Sequence, residues 1–119
     1  MKVVVNKLLP PKGFTGVNLF GVLFVRKRYL PRLTERVFRH ERIHTAQMVE
    51  MLFLFFYVAY FLEWIYWLIR SLFDKEIDPY RSISFEREAY VHEYDAEYLK
   101  RRKFFAAWRF HFHVDGVKN

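Results

Sequence analysis

A nineteen-residue apolar stretch, Met51–Ile69, constrains the fold of this chain more than any other feature of its sequence. Its single charged residue is Glu63, and it is long enough to cross the hydrocarbon core of a bilayer as a helix. Trp64, Tyr66 and Trp67 lie near one end, in a pattern typical of side chains at a membrane–water interface. A helix of this composition must therefore either span a membrane or be covered by another apolar surface.

The composition limits the chain to one folded domain and excludes several classes of protein. With 119 residues, of which 53% are hydrophobic, we expect a single domain over residues 1–119 and not a disordered chain. The absence of cysteine excludes a disulfide scaffold, a Cys-ligated zinc finger and a thiol nucleophile. Any metal must therefore be held by histidine and carboxylate side chains.

The charge and the N-terminal sequence bear on partners and location. The formal net charge is +7, but no nucleic-acid-binding motif accompanies it, so we expect no nucleic-acid partner. Met1–Gly13 contains neither an apolar segment of signal-peptide length nor a small-residue cleavage site. We therefore expect a cytoplasmic or membrane-associated protein without a cleavable signal peptide.

Short apolar runs near the N-terminus predict a small sheet. Met1–Leu9 contains three consecutive valines. Val17–Val25 is almost entirely apolar, which is typical of a strand that is covered on both faces or lies at a sheet edge. The alternating residues of Trp108–Val114 predict a further short strand, on which His111 and His113 share a face; we expect two surface residues there, with a metal-binding pair as the alternative.

Two helices are predicted after the sheet. Thr34 is a candidate N-cap for a long helix that continues to about Phe73. After the polar turn Asp74–Arg81, Ser84 is a candidate N-cap for a second helix, which ends near Arg102 in a basic cluster that suits the helix dipole. Together these elements predict a helix-dominated α+β domain with a short N-terminal sheet.

The first predicted helix carries the pentapeptide His40-Glu41-Arg42-Ile43-His44, an HExxH motif. Residues four apart lie on one helical face, so His40 and His44 can direct their imidazoles at one ion. Glu41 can reach a water molecule on that ion without binding the ion itself. This is the arrangement of zinc hydrolases, in which two neutral histidines hold a metal that lowers the pKa of its water and a carboxylate acts as base.

Zinc in such sites takes a third protein ligand, and the second helix offers one within Ser84–Tyr90. HExxH on one helix and Glu86-Arg87-Glu88-Ala89 on the next resemble the gluzincin group of metallopeptidases. The similarity is greatest to small bacterial members and to membrane-linked peptidases whose second motif reads E-x-E-A-D. The resemblance implies a minimal zincin-like fold in which Glu86 is the third Zn²⁺ ligand and Glu88 the alternative. Gln47 is similar to the glutamine of the HExxHxxQ variant in some small zincin-like bacterial domains.

One position departs from the gluzincin pattern. That family usually places an aspartate four residues after the ligand glutamate, where it orients a histidine ligand, and this chain has Tyr90 there. Glu88, Asp95 and a backbone carbonyl are candidates for the orienting role. Tyr90, His92 and Tyr94 are candidates for a hydrogen bond to the tetrahedral intermediate.

The metal site and a simple membrane span are nearly incompatible. A continuous helix from His44 to Arg70 is about 39 Å long, so Glu86 returns to the histidines only if the charged segment Asp74–Arg81 recrosses the hydrocarbon. We therefore expect the apolar helix to pack against its own domain, against a second copy of the chain or on the surface of a bilayer.

The motifs together predict a zinc-dependent peptidase that acts on a peptide or protein substrate. In that hypothesis Glu41 takes a proton from the attacking water and later passes it to the leaving amine. The resemblance to zincins also implies that the strand Val17–Val25 pairs with an extended substrate at an exposed edge. The alternative is a non-catalytic membrane-associated or oligomeric helical protein with a degenerate zincin motif.

Overall fold

The computed structural model describes residues 1–8, 10 and 14–108. Three short strands come first: β1 (Lys2–Asn6), β2 (Gly16–Leu19) and β3 (Val22–Arg26). A 3₁₀ segment, Lys27–Arg32, leads to the helices of the described part: α1 (Glu35–Glu50), α2 (Leu54–Phe73), α3 (Pro79–Ser82), α4 (Ser84–His92) and α5 (Tyr98–Arg101). The prediction of a helix-dominated α+β fold with a short N-terminal sheet is confirmed.

The three strands form one sheet in the order β1-β3-β2, with β1 parallel and β2 antiparallel to β3. The prediction of one strand over Val17–Val25 is wrong, because the chain reverses at Phe20 and Gly21, where φ is 54° and 88°. Two successive residues with positive φ form a tight turn that matches the twist of a two-strand hairpin. β2 therefore lies at one edge of the sheet. The further strand predicted at Trp108–Val114, with both of its histidines, lies outside the described residues except for its first position.

The long helix predicted from Thr34 to Phe73 is in fact two helices joined at a sharp corner. Its start is as predicted, since the Thr34 side chain accepts a hydrogen bond from the Val37 amide. Leu52 and Phe53 then take positive φ values of 55° and 58°, and α2 leaves α1 at a bend of 112°. The corner turns α2 back against the domain, where one side of α2 joins the core.

The core lies where α1, α2 and α4 meet. One buried cluster joins these helices and consists of Met48, Met51, Phe56, Ile83, Phe85 and Ala107. A second cluster of Ile43, Ala89 and Tyr98 packs α1 against α4. These contacts set α1 beside α4 and so determine which of their polar side chains meet.

The second predicted helix is shorter than expected and begins differently. α4 ends at His92, and the chain up to Arg102 consists of a turn and the separate helix α5. The prediction of Ser84 as an N-cap is wrong, since Ser84 is already the first residue of α4. Its amide and its hydroxyl both donate to the carboxylate of Glu63 at 2.7 Å. The one charged residue of the apolar stretch therefore caps α4 from another helix.

The apolar stretch Met51–Ile69 is only partly covered by its own domain. Among the described residues, no single helix is long and apolar enough to cross a membrane, and α1 and α2 reach that length and composition only as a bent pair. One side of α2 contributes to the core, whereas Leu62, Ile69 and Phe73 are more than half exposed. A large apolar surface of α2 thus remains on the outside of the domain.

Candidate metal centre

Three potential metal ligands meet where α1 packs against α4. His40 and His44 lie one turn apart on α1, and Glu86 lies in the first turn of α4. Oε1 of Glu86 is 3.2 Å from Nε2 of His40 and 3.1 Å from Nε2 of His44, and the two Nε2 atoms are 3.1 Å apart. All three side chains are buried. In a tetrahedral site with bonds of about 2.0 Å, neighbouring ligand atoms are roughly 3.3 Å apart, and these distances match that spacing.

The hydrogen bonds of Gln47 determine which nitrogen of His44 carries a lone pair. The Gln47 amide nitrogen donates to the Phe85 carbonyl at 3.0 Å and to a Glu88 carboxylate oxygen at 2.9 Å. The Gln47 oxygen, 2.8 Å from Nδ1 of His44, therefore accepts the hydrogen of that nitrogen. Nε2 of His44 is left with a lone pair directed at Glu86.

Glu93 orients His40 in the same way. One of its carboxylate oxygens lies 2.9 Å from Nδ1 of His40 and accepts the hydrogen of that nitrogen, which leaves Nε2 free to bind a metal. Arg36 donates to the other oxygen at 2.6 Å, and Glu93 itself is buried. The orienting carboxylate of His40 is thus Glu93, and neither Glu88 nor Asp95 contacts this histidine.

The three converging atoms require a cation between them. Two nitrogen lone pairs and a carboxylate oxygen this close repel one another unless a proton or a metal ion separates them. Burial lowers the pKa of His44, but the charge and the hydrogen bond of Glu86 outweigh burial and raise that pKa to about 9. Burial raises the pKa of Glu86, but the two imidazoles lower it by more. The site therefore attracts positive charge, and its two imidazoles and one carboxylate fit a divalent metal such as zinc.

Two polar residues of α2 support Glu86. The Tyr60 hydroxyl donates to Oε2 of Glu86 at 2.6 Å, so the two carboxylate oxygens have different partners. Glu63, one turn further along α2, caps the turn of α4 in which Glu86 lies. The corner between α1 and α2 therefore helps to form the site, because it brings Tyr60 and Glu63 to α4.

A buried ionic network connects the site with α5 and with Arg102, the residue that follows it. Glu88, the alternative third ligand, is fully buried and accepts hydrogen bonds from Gln47, from the Tyr98 hydroxyl at 2.6 Å and from Arg102. The Arg102 guanidinium also binds both carboxylate oxygens of Glu50, at 2.8 and 3.0 Å. Glu88 therefore holds Gln47 in place and is not one of the three converging ligands.

Glu41 lines the cavity beside the three potential ligands. Burial raises the pKa of its carboxyl group above the ordinary value, while the nearby His44 and His40 lower it by less. A raised pKa makes a carboxylate a better proton acceptor near neutral pH. Asn18 of β2 holds this part of α1, since its amide donates to the Glu41 carbonyl at 3.0 Å and to the Thr45 hydroxyl at 3.1 Å.

The cavity at the ligand cluster has a volume of about 550 Å³, and its walls are mainly apolar and aromatic. Residues Gly16–Asn18 of the edge strand β2 form part of its lining. Tyr90 also lines it, with its ring centroid 4.5 Å from that of His40, and the Tyr90 hydroxyl donates to the Tyr80 hydroxyl at 3.3 Å. The cavity thus has the size of a small-ligand site, bordered by a sheet edge and by hydroxyl groups.

Three other sequence candidates do not line the cavity. His92 stacks on the ring of Tyr98, with 3.7 Å between centroids. Tyr94 is largely exposed to solvent, and Asp95 forms an ion pair with Arg101. Of the three predicted hydrogen-bond donors, Tyr90, His92 and Tyr94, only Tyr90 lines the cavity.

Glu93 and Tyr60 contact the site but are not among the sequence candidates. Glu93 follows Glu86 by seven residues, which places both on one face of a helix, so the spacing is a usable signal. Tyr60 lies in an apolar stretch that a continuous helix would carry away from the histidines. No sequence signal marks the corner at Leu52 and Phe53 that brings Tyr60 back.

Comparisons with known proteins give no family assignment. No protein-family model, no curated protein and no solved structure matches this chain significantly. A functional conclusion therefore depends on the geometry and the chemistry of the site itself.

Proposed function

We propose that this protein is a zinc-dependent hydrolase that cleaves peptide bonds. The observation that carries the proposal is the meeting of Nε2 of His40, Nε2 of His44 and Oε1 of Glu86 within 3.2 Å of one another. Both histidines donate through Nδ1 to a fixed acceptor, Gln47 or Glu93, as metal-bound histidines do. Two imidazoles and a carboxylate, with the fourth position left for water, are a common ligand set of catalytic zinc.

The residues around the ligand cluster support a hydrolytic mechanism. A zinc ion at this site would polarise a substrate carbonyl and lower the pKa of a bound water to about 7. Glu41, which lines the cavity beside the ligands, would accept a proton from the attacking water and pass it to the amide nitrogen. The water oxygen bonds to the carbonyl carbon, the carbon–nitrogen bond breaks, and the amine leaves with the transferred proton. The Tyr80 hydroxyl, which accepts a hydrogen bond from Tyr90, can donate its own hydrogen to the carbonyl oxygen.

The walls of the cavity favour a peptide as substrate. β2 is an edge strand, and its residues Gly16–Asn18 line the cavity, so an extended peptide can pair with it through main-chain hydrogen bonds. The apolar part of the wall includes Val37, Met48 and Phe56 and suits an apolar side chain of the substrate. Main-chain pairing would supply affinity, and the apolar wall would select the residue beside the cleaved bond.

Digestion of a peptide library by the zinc-loaded protein, read out by mass spectrometry, tests this function. We expect cleavage beside apolar residues, loss of cleavage after treatment with a chelator, and recovery when zinc is added back. A protein that binds zinc but cleaves no member of the library would contradict the hydrolase function. That result would favour the alternative of a non-catalytic membrane-associated or oligomeric protein. The exposed apolar side of α2 is the observation that supports this alternative.

A further inference from the structure

The outer side of α2 presents a large apolar surface to its surroundings. We define the outer face of α2 by six apolar side chains that are each at least 57% exposed: Leu54, Phe55, Phe61, Leu62, Leu72 and Phe73. They extend from the first to the last turn of a twenty-residue helix. A continuous exposed surface of this kind marks a site of contact with a partner or a membrane.

The exposed apolar side chains of α2, taken together, form a surface that extends beyond the outer face on both sides and is wider than a helix–helix contact. At 100° per residue, the exposed apolar side chains of α2 occupy an arc of about 200°, from Tyr66 at one border to Trp64 at the other. Packing against one helix buries a stripe of roughly 100°. A second copy that contributes one helix would therefore leave half of the arc in water, whereas a bilayer surface can cover a half-cylinder at once.

The two charged residues of α2 lie outside this arc. Glu63 faces α4, where it caps the helix, and Arg70 donates to the Tyr66 hydroxyl at 2.8 Å at the margin of the arc. Trp64 and Tyr66, at the two borders, are side chains that place an apolar ring and a polar group at the level of lipid headgroups. The distribution of residues around α2 is thus that of a helix lying in the plane of a membrane interface.

The positive charge of the chain favours an anionic lipid surface. Arg70, at the margin of the arc, is exposed, and so are Lys103 and Phe104 in the basic segment that follows α5. Lys100 of α5 is also exposed and pairs with Glu97 at 3.2 Å. The turn Asp74–Arg81 carries three acidic and two basic residues, and the net charge of +7 for the whole chain outweighs this single negative charge and determines the sign of the attraction.

We propose that the outer face of α2 inserts into the surface of an anionic phospholipid bilayer, with α2 parallel to the membrane plane. Insertion buries the apolar side chains to the depth of the headgroup–acyl boundary, and the helix does not cross the bilayer. This interaction does not depend on the metal centre, because the residues of the outer face are not metal ligands. Failure of the hydrolase function would therefore leave it unaffected.

Flotation of the full-length chain with vesicles tests this interaction. We expect binding to vesicles of phosphatidylcholine and phosphatidylglycerol, and weaker binding to phosphatidylcholine alone. The variant Phe55→Gln, Leu62→Gln, Phe73→Gln is expected to bind at least about tenfold more weakly. Each substituted side chain is at least 60% exposed, so the fold is retained, which near-ultraviolet circular dichroism checks.

A matched control replaces three exposed apolar residues elsewhere: Leu8→Gln, Leu30→Gln and Val91→Gln. We expect this control to bind vesicles as the unsubstituted chain does. Equal binding by the α2 variant and the control would overturn the proposal, and so would the absence of vesicle binding by the unsubstituted chain. Sedimentation identifies the alternative. If the unsubstituted chain does not bind vesicles and sediments as a dimer, whereas the α2 variant sediments as a monomer, the outer face is an interface between two copies.

Discussion

Replacement of Glu41 with glutamine is expected to reduce peptide-bond hydrolysis by about a thousandfold and to leave zinc binding unchanged. Glu41 lines the cavity but is not one of the three converging ligands, so the variant loses a proton acceptor and not a ligand. Glutamine keeps the shape of the side chain, which limits other effects on the site. The measurements are kcat/KM on a cleaved library peptide and the zinc content of the same preparation.

Glu35→Gln is the matched control for this variant. It makes the same change on the same helix, at an exposed position in the first turn of α1. We expect kcat/KM of the Glu35 variant to equal that of the unsubstituted protein. If Glu41→Gln also keeps full kcat/KM, Glu41 is not the base, and the mechanism is wrong even though the metal site remains.

Replacement of Arg102 with methionine is expected to lower the free energy of unfolding by about 3–5 kcal/mol at neutral pH. The Arg102 side chain is 7% exposed and lies between the carboxylates of Glu50 and Glu88, which are 6% and 0% exposed. Methionine fills a similar volume but leaves both carboxylates buried without their cation. Urea unfolding followed by circular dichroism measures the change.

The neighbouring variant Arg101→Met is the matched control for this network. Arg101 pairs with Asp95 at the surface, where solvent screens the interaction, so we expect almost no change in the free energy of unfolding. Adding Glu50→Gln and Glu88→Gln to Arg102→Met should recover part of the loss, because no buried charge then lacks a partner. Similar losses for Arg102→Met and Arg101→Met would contradict the role given to the network.

The histidine pair is predictable from sequence, and the third ligand only in part. His40 and His44 share a face in any α-helix, because the periodicity of the helix relates residues four apart whatever the rest of the chain does. No such rule relates residues on different helices. Glu86 can therefore be predicted as the third ligand only because its motif resembles that of gluzincins. The packing of Ile43 against Ala89, which brings the two helices together, is a tertiary contact.

The two turns that shape the site could not be predicted because three of their four residues with positive φ are large apolar side chains. Leu52 and Phe53 take positive φ values, which glycine and asparagine adopt far more readily. Leu52 and Phe53 form a corner that is stabilised by the burial of Phe56 and by the capping of α4 by Glu63, and both are tertiary effects. At the hairpin, Gly21 is a turn signal, but the apolar residues on either side conceal it.

The metal content of the protein and of three variants tests the central claim most directly. We expect one zinc ion per chain in the unsubstituted protein and in His92→Ala, whose histidine stacks on Tyr98 outside the cavity. Glu93→Gln should bind zinc about 10- to 100-fold more weakly, because it loses the carboxylate that orients His40. His44→Ala should retain no zinc in competition with a chelator, and equal zinc content in His44→Ala and the unsubstituted protein would contradict the account.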